Sequence, residues 1–217
     1  PGSMDTTGTE PVRRRPLRAA LLLAAAAIVT VGVVAIVNDL ARPRIEANER
    51  AQRVAQLAEV LGGTRYDNDL LRDVVTVRDA ERLGTDEPLP VYRATLAGRP
   101  VAAIITTVAP DGYAGSIRLL VGIGADGHLL GIRVVAHRET PGLGDAIDER
   151  KSTWVDGFRG RSLGNPALDR WHVKKDGGDF DQFTGATVTP RAVVHAVLNA
   201  LLYFEANRAA LLDAPRG

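Results

Sequence analysis

The 217-residue chain contains no cysteine. That excludes disulfides, cysteine-ligated iron–sulfur clusters, cysteine-type structural zinc sites and thiol catalysis. It leaves the redox compartment open, because a cysteine-free chain tolerates either state. Charge of one sign is lacking too. The 27 Lys and Arg balance 26 Asp and Glu, a net charge of +1. No basic excess draws the chain toward nucleic acid, so no nucleic-acid partner is expected. Histidine is sparse, at positions 128, 137, 172 and 195, and no pair has metal-ligand spacing. No nucleophile–base set or metal set is legible. The chain therefore reads as part of an enzyme at most, not as a complete one.

What is present begins with a long apolar run. Pro1, Gly2 and Ser3 ahead of Met4 read as a cloning remnant, and residues 4–16 as a polar, disordered tail. From Ala19 to Val37 the segment AALLLAAAAIVTVGVVAIV carries no charge. At the helical rise it spans about 30 Å, the hydrocarbon thickness of a bilayer. A signal peptide would have a shorter apolar core, about 7–15 residues, followed by a small-x-small cleavage site. The sequence NDLARPR follows instead. A single uncleaved transmembrane helix over 17–40, in contact with membrane lipid, is expected. Arg13, Arg14, Arg15 and Arg18 lie before it; Arg42, Arg44, Arg50 and Arg53 lie after it. The counts tie, but the upstream cluster is tighter and sits on a short tail. This favours a cytoplasmic N-terminus and a main domain outside the cytoplasm.

Beyond the span, Pro43 is expected to kink or interrupt the helix. Ala47, Ala51, Val54, Ala58 and Leu61 then recur at three- and four-residue steps. That spacing predicts a helix from about Arg44 to Leu61, stopped by Gly62-Gly63, within a stalk helix segment assigned to 41–63. From about Leu89 the pattern turns to strands. VYRATLAG, RPVAAIITTVAP, SIRLLVGIG and HLLGIRVVAHRE are separated by AGR, PDGYAG and ADG. They predict a four-stranded antiparallel meander over about 90–138. DAIDERKSTWVDGFRG reads as a short amphipathic helix, and a last helix is expected from Pro190 to about Leu212. The fold class is α+β, with an anchor and stalk ahead of a domain over 64–217.

Several motifs invite a chemical reading. GIGADG, residues 122–127, fits the dinucleotide pattern, but a strand follows it where a helix is required, so a hairpin turn is expected. DGGDFD, residues 176–181, lacks calcium-loop spacing, and its twelfth position is Thr187. It reads as a solvated turn, or as a device that positions the following threonines or marks them for an enzyme. HRETPGLGD, residues 137–145, breaks a strand with a glycine-rich loop suited to close approach of a ligand. DQFTGATVTP, residues 181–190, precedes the last helix. Thr189 and Pro190 suit an N-cap and first helical position. Gly185 ahead of a helix N-terminus suits an anion, and Arg191 in the first turn can add a charge-assisted contact.

DQFTGATVT resembles the flavinylation motif of FMN-binding domains, and HRETPGLGD resembles a second signature of that family. With the string VKKDGGDFDQFTGATVTPRAVVHAV, APDGYAGSIRLLVG and one membrane helix, the chain is most similar to the G-subunit family of Rnf/Rsx ion-translocating electron-transport complexes. The likeness covers about residues 17–212. The C subunits of sodium-translocating NADH:quinone reductases share the architecture and are the alternative. Valine at 188 stands where isoleucine or leucine is usual. The resemblance implies a phosphoester-linked FMN on Thr187, with Thr184, Gly185 and Ala186 forming its loop. Asp181 matches the aspartate linked to recognition by a flavin transferase that uses FAD. Glu139, Thr140, Gly142, Leu143 and Gly144 match the second signature, near the flavin. Trp154, Trp171 and Lys174 are weaker candidates, for which core packing and surface charge are equally good readings. The implied role is a membrane-anchored electron carrier in the bacterial inner membrane, with a periplasmic main domain. Its complex would couple ferredoxin/NAD electron transfer to ion translocation, with other redox subunits as partners. A tethered domain that binds an anion non-covalently, or only scaffolds partners, is the competing role.

Overall fold

Residues 14–213 are described by the computed structural model. The expected remnant and most of the polar tail lie outside the described residues. Contacts divide the chain into two units, one ending at Ala51 and one beginning at Gln52. Helix α1 is assigned over Arg14–Val60. It is long and apolar enough to cross a membrane, with an 18-residue window of mean hydropathy 2.8 and none of that window buried. The expected interruption at Pro43 does not occur, and α1 continues through it. Proline takes a donor from the Asp39 carbonyl. Asp39, Leu40, Arg42 and Pro43 are all exposed, so solvent can fill that place.

In the second unit, five antiparallel strands form one sheet in chain order. They are β1 (Val74–Val77), β2 (Leu89–Leu96), β3 (Arg99–Ala109), β4 (Ile117–Gly124) and β5 (Leu129–Ala136). The four expected strands are β2 to β5. Edge strand β1 is additional: VVTV pairs with β2 from Val74↔Tyr92 to Val77↔Leu89. A one-turn helix α2 (Ala80–Leu83) follows β1, its first turn capped by Asp79, which accepts from Arg82 N at 2.9 Å. GIGADG is the β4–β5 hairpin turn, closed by Gly124 N donating to His128 O at 2.8 Å.

The long apolar runs in β3 and β4 follow from a sheet covered on both faces. Helix α3 (Val188–Asp213) lays Val193, Val197, Leu201 and Phe204 in one cluster with Val91, Ile105, Leu119, Val121 and Ile123. On the other face Leu57, Val60, Leu61 and Leu70 meet Ala94, Ala102, Ile104 and Leu120. Segment 67–73 is pinned beside β2 by polar contacts. Asn68 Nδ2 donates to Arg93 O at 2.9 Å, Thr95 N donates to Asn68 Oδ1 at 2.9 Å, and Arg93 forms a buried ion pair with Asp73.

The amphipathic helix expected over 145–160 is absent. Two 3-10 turns, Gly144–Ile147 and Trp154–Phe158, stand in its place. Short polar side chains compete with helical bonding there. Ser152 Oγ donates to Ala146 O at 2.6 Å and accepts from Trp154 N at 3.1 Å. Asp148 Oδ1 accepts from Arg150 N at 2.9 Å. The last helix also begins earlier than expected, at Val188.

Candidate functional site

The two motifs meet at the N-terminus of α3. Arg191 N donates to Thr187 O at 3.3 Å, the first bond of the helix, which makes Thr187 its N-cap residue. Thr189 and Pro190 therefore occupy the second and third helical positions, not the cap and first positions expected for them. An N-cap hydroxyl normally accepts from the second or third helical amide. Pro190 has no third amide to offer. Thr187 Oγ1 makes no hydrogen bond among the described residues, and the residue is half-buried. Thr184 is exposed in the turn Thr184–Gly185.

The third threonine has another duty. Thr189 is fully buried, and its Oγ1 donates to Glu139 Oε2 at 2.5 Å. The other oxygen, Glu139 Oε1, accepts from Ala114 N at 3.0 Å. Glu139 is only 5 % exposed, and no cation forms an ion pair with it among the described residues. This carboxylate thus braces three segments: loop 110–116, the start of ETPGLG, and the first turn of α3. Gly144 completes the niche. A Cβ there would press on both Glu139 Oε2 and Thr189 Oγ1.

The rest of ETPGLG folds on itself. Leu143 N and Asp145 N both donate to Thr140 O, at 3.1 and 3.4 Å. Gly142 N donates to Asp145 Oδ1 at 2.8 Å. This turn presents Leu143, 44 % exposed, beside Gly185. Val188 and Tyr113 are also exposed, on the α3 first turn and the Glu139-braced loop. Large exposed apolar side chains on segments that converge at one anchor suit a flat aromatic ligand.

Asp181 is tied down on the N-terminal side of the TGA turn. Trp154 Nε1 donates to Asp181 O at 2.7 Å, and Lys174 Nζ contacts Asp181 Oδ1 at 2.5 Å. Trp154 packs edge-on against Phe183 at 5.3 Å and Phe158 at 5.1 Å between ring centroids. Ala186 N donates to Phe183 O at 3.1 Å, which closes the TGA turn. Trp171 is a core residue, 1 % exposed, with its ring tilted against Phe180 at 5.0 Å between centroids, so core packing accounts for it. Arg191 carries its guanidinium to Asp176, with Nε–Oδ2 2.7 Å and Nη2–Oδ1 2.9 Å. That pair holds the Asp176 carboxyl below its ordinary range and raises Arg191.

Sequence reading did not find the Glu139–Thr189 bond, the Ala114 contact, the exposed Tyr113 or the Asp176–Arg191 pair. Glu139 and Thr189 are 50 residues apart. Only the coincidence of a buried-type glutamate beside PGLG and a surplus threonine hinted at them.

The model of the FMN-binding domain family matches residues 112–202, and that of the RnfG N-terminal region matches residues 14–60. The chain is 56 % identical over 200 residues to the G subunit of the ion-translocating oxidoreductase complex of Pseudomonas aeruginosa UCBPP-PA14, covering 92 % of this chain and 94 % of that one. It is 50 % identical over 194 residues to the protein of the same name in Shewanella baltica OS223, covering 89 % and 92 %. Among solved structures it is similar to Shewanella oneidensis NqrC, at 18 % identity and a TM-score of 0.48, over 70 % of this chain and 80 % of that one.

Proposed function

The chain belongs to the G-subunit family of ion-translocating oxidoreductase complexes, and on that premise we propose that it carries FMN esterified to Thr187. It is a membrane-anchored flavin electron-transfer component of a multi-subunit complex. The bound flavin would supply the redox chemistry, and the protein supplies position and electrostatics.

The residues fit such a group. Of the three hydroxyls in TGATVT, Thr189 is engaged by Glu139 and Thr184 lies out in solvent. Thr187 alone combines partial burial, an unengaged hydroxyl and the N-cap position, and this observation carries the proposal. The first amides of α3 have no intrahelical acceptor and favour an anion. A phosphodiester keeps one negative charge, which that helix end stabilises. Leu143, Val188 and Tyr113 offer apolar surface for the ring. In the attachment step a flavin transferase would use FAD as donor. A bond forms between Thr187 Oγ1 and phosphorus, the pyrophosphate bond breaks, AMP leaves and the hydroxyl proton passes to solvent. Asp181 would guide that enzyme. The tether prevents loss of cofactor outside the cytoplasm.

In this reading residues 17–40 cross the bacterial inner membrane, 41–63 form the stalk, the N-terminus is cytoplasmic and the main domain is periplasmic. The complex would couple ferredoxin/NAD electron transfer to ion movement. The test is direct. The full chain is expressed with a flavin transferase, denatured in SDS and viewed under ultraviolet light. A yellow fluorescent band is expected in wild type and Thr184→Ala and not in Thr187→Ala. Intact mass should rise by one FMN minus water. A colourless wild-type band of unmodified mass would refute covalent attachment and leave a reversible anion site.

A further inference from the structure

The string DGGDFD, residues 176–181, is only partly absorbed by this reading. Each of its three carboxylates faces a cation. Asp179 Oδ1 accepts from Arg170 Nε at 2.9 Å and Nη2 at 2.6 Å, and Asp181 meets Lys174. Both pairs are internal to segment 170–181. Only the Asp176–Arg191 pair crosses to α3. It closes the 15-residue separation that contains Thr187.

We propose that Asp176 is a releasable latch for Arg191. It holds the guanidinium in the unmodified chain and yields it to the FMN phosphodiester once Thr187 is esterified. The proposal rests on the covalent reading given above. Its first support is exposure. The Arg191 and Asp176 side chains are 49 % and 32 % exposed, and exposed ion pairs are weak. The second is placement. Arg191 is the residue whose amide bonds the Thr187 carbonyl, and side chains of a helix lean toward its N-terminus. A guanidinium binds a phosphate group through two parallel hydrogen bonds, and the helix N-terminus holds that anion in place. Exchange breaks one ion pair and makes another, and Asp176 is left hydrated.

The third support is that the turn stands without the latch. Lys174 N donates to Phe180 O at 2.7 Å and Gly178 N to Val173 O at 3.1 Å. Arg170 Nη1 donates to Gly177 O at 2.6 Å. Gly178 packs against the His172 backbone with no room for a Cβ. Release of Arg191 therefore leaves the 170–180 turn in shape, and Asp176→Asn should fold.

The experiment follows modification of the full chain in detergent by a flavin transferase and FAD, read by intact mass over time. Circular dichroism melts verify that each variant is folded. Asp176→Asn should be modified at least threefold faster than wild type, because Arg191 is free to meet the incoming phosphate. Arg191→Gln should be at least threefold slower, and the double variant should match Arg191→Gln. A merely structural role for Asp176 would not depend on Arg191 in this way. In the modified proteins, the phosphorus NMR resonance of the diester should move in Arg191→Gln and stay in place in Asp176→Asn. Unchanged rates in Asp176→Asn, or a diester resonance indifferent to Arg191→Gln, overturn the latch while leaving Thr187 as the acceptor. A wild-type chain that gains no mass overturns both readings.

Discussion

Replacing Thr189 with valine tests the brace under the site. Valine keeps the shape, so the change removes one donor and makes no cavity. In the native fold the Glu139 carboxylate has two protein donors, Thr189 Oγ1 at 2.5 Å and Ala114 N at 3.0 Å. With Glu139 only 5 % exposed and Thr189 fully buried, water cannot readily replace the lost partner. A hydrogen bond to a charged group contributes about 1.5–3 kcal/mol, and a buried acceptor left unmet adds its own desolvation cost. A loss of about 2 kcal/mol is expected, which for a unit of this size lowers Tm by roughly 4–8 °C. The assay is thermal and urea unfolding of the unmodified full chain in detergent, with exposed Thr184→Val as control, expected within about 0.5 kcal/mol of wild type. A cycle with Glu139→Gln isolates the pair: Thr189→Val should cost markedly less in that background, by about 1 kcal/mol or more. A Thr189→Val protein as stable as the control would refute the brace, and an additive cycle would show that the two side chains act independently.

Other parts of the fold give sharper signs. Arg93→Met should cost about 3–5 kcal/mol by stranding buried Asp73, while the pair Arg93→Met with Asp73→Leu should recover most of it in urea unfolding. The Arg150 guanidinium holds the Asp148 carboxyl down to about 2, from 3.8, against the opposing effect of burial. Its folded value lies below its unfolded one, so its contribution is present above about 4 and is lost as pH falls through 2. Urea midpoints between pH 5 and pH 2 should fall less steeply in Arg150→Gln. Gly178→Ala drives a methyl into the His172 carbonyl. It should distort the 174–181 turn and slow flavin attachment several-fold by intact mass, with the melting profile of the sheet little changed.

Much of this molecule can be read locally. The β2–β5 meander follows from Val, Ile and Leu runs punctuated by AG, PDG and ADG, because hairpin pairing is set by neighbours in sequence. The apolar span of α1 follows from composition alone. What was not legible depends on distant partners. VVTV at 74–77 is too short to declare itself, and it becomes a strand because β2 offers an edge and the Arg93–Asp73 pair fastens its entry. The 145–160 segment has helical spacing, yet Ser152 and Asp148 satisfy backbone groups locally and divert it into 3-10 turns. Pro43 is a strong local stop signal, but an exposed turn can spare one backbone bond.

The site itself divides along the same line. The string TGATVTP marks the place, but it does not say which hydroxyl is free, because three threonines within six residues are locally near-equivalent. Two features outside the local pattern separate them. Glu139, brought in by the β5 exit, takes Thr189 into the core. Pro190, now at the third helical position, deletes one of the two amides that could have occupied an N-cap hydroxyl. Had the helix begun later, as the cap reading of Thr189 required, Thr187 would be an ordinary loop residue. The observed start moves Thr187 to the positive end of α3 with its oxygen unengaged. The proposed choice of Thr187 rests on subtraction: the fold assigns work to Thr189, withholds it from Thr187, and leaves Thr184 in solvent.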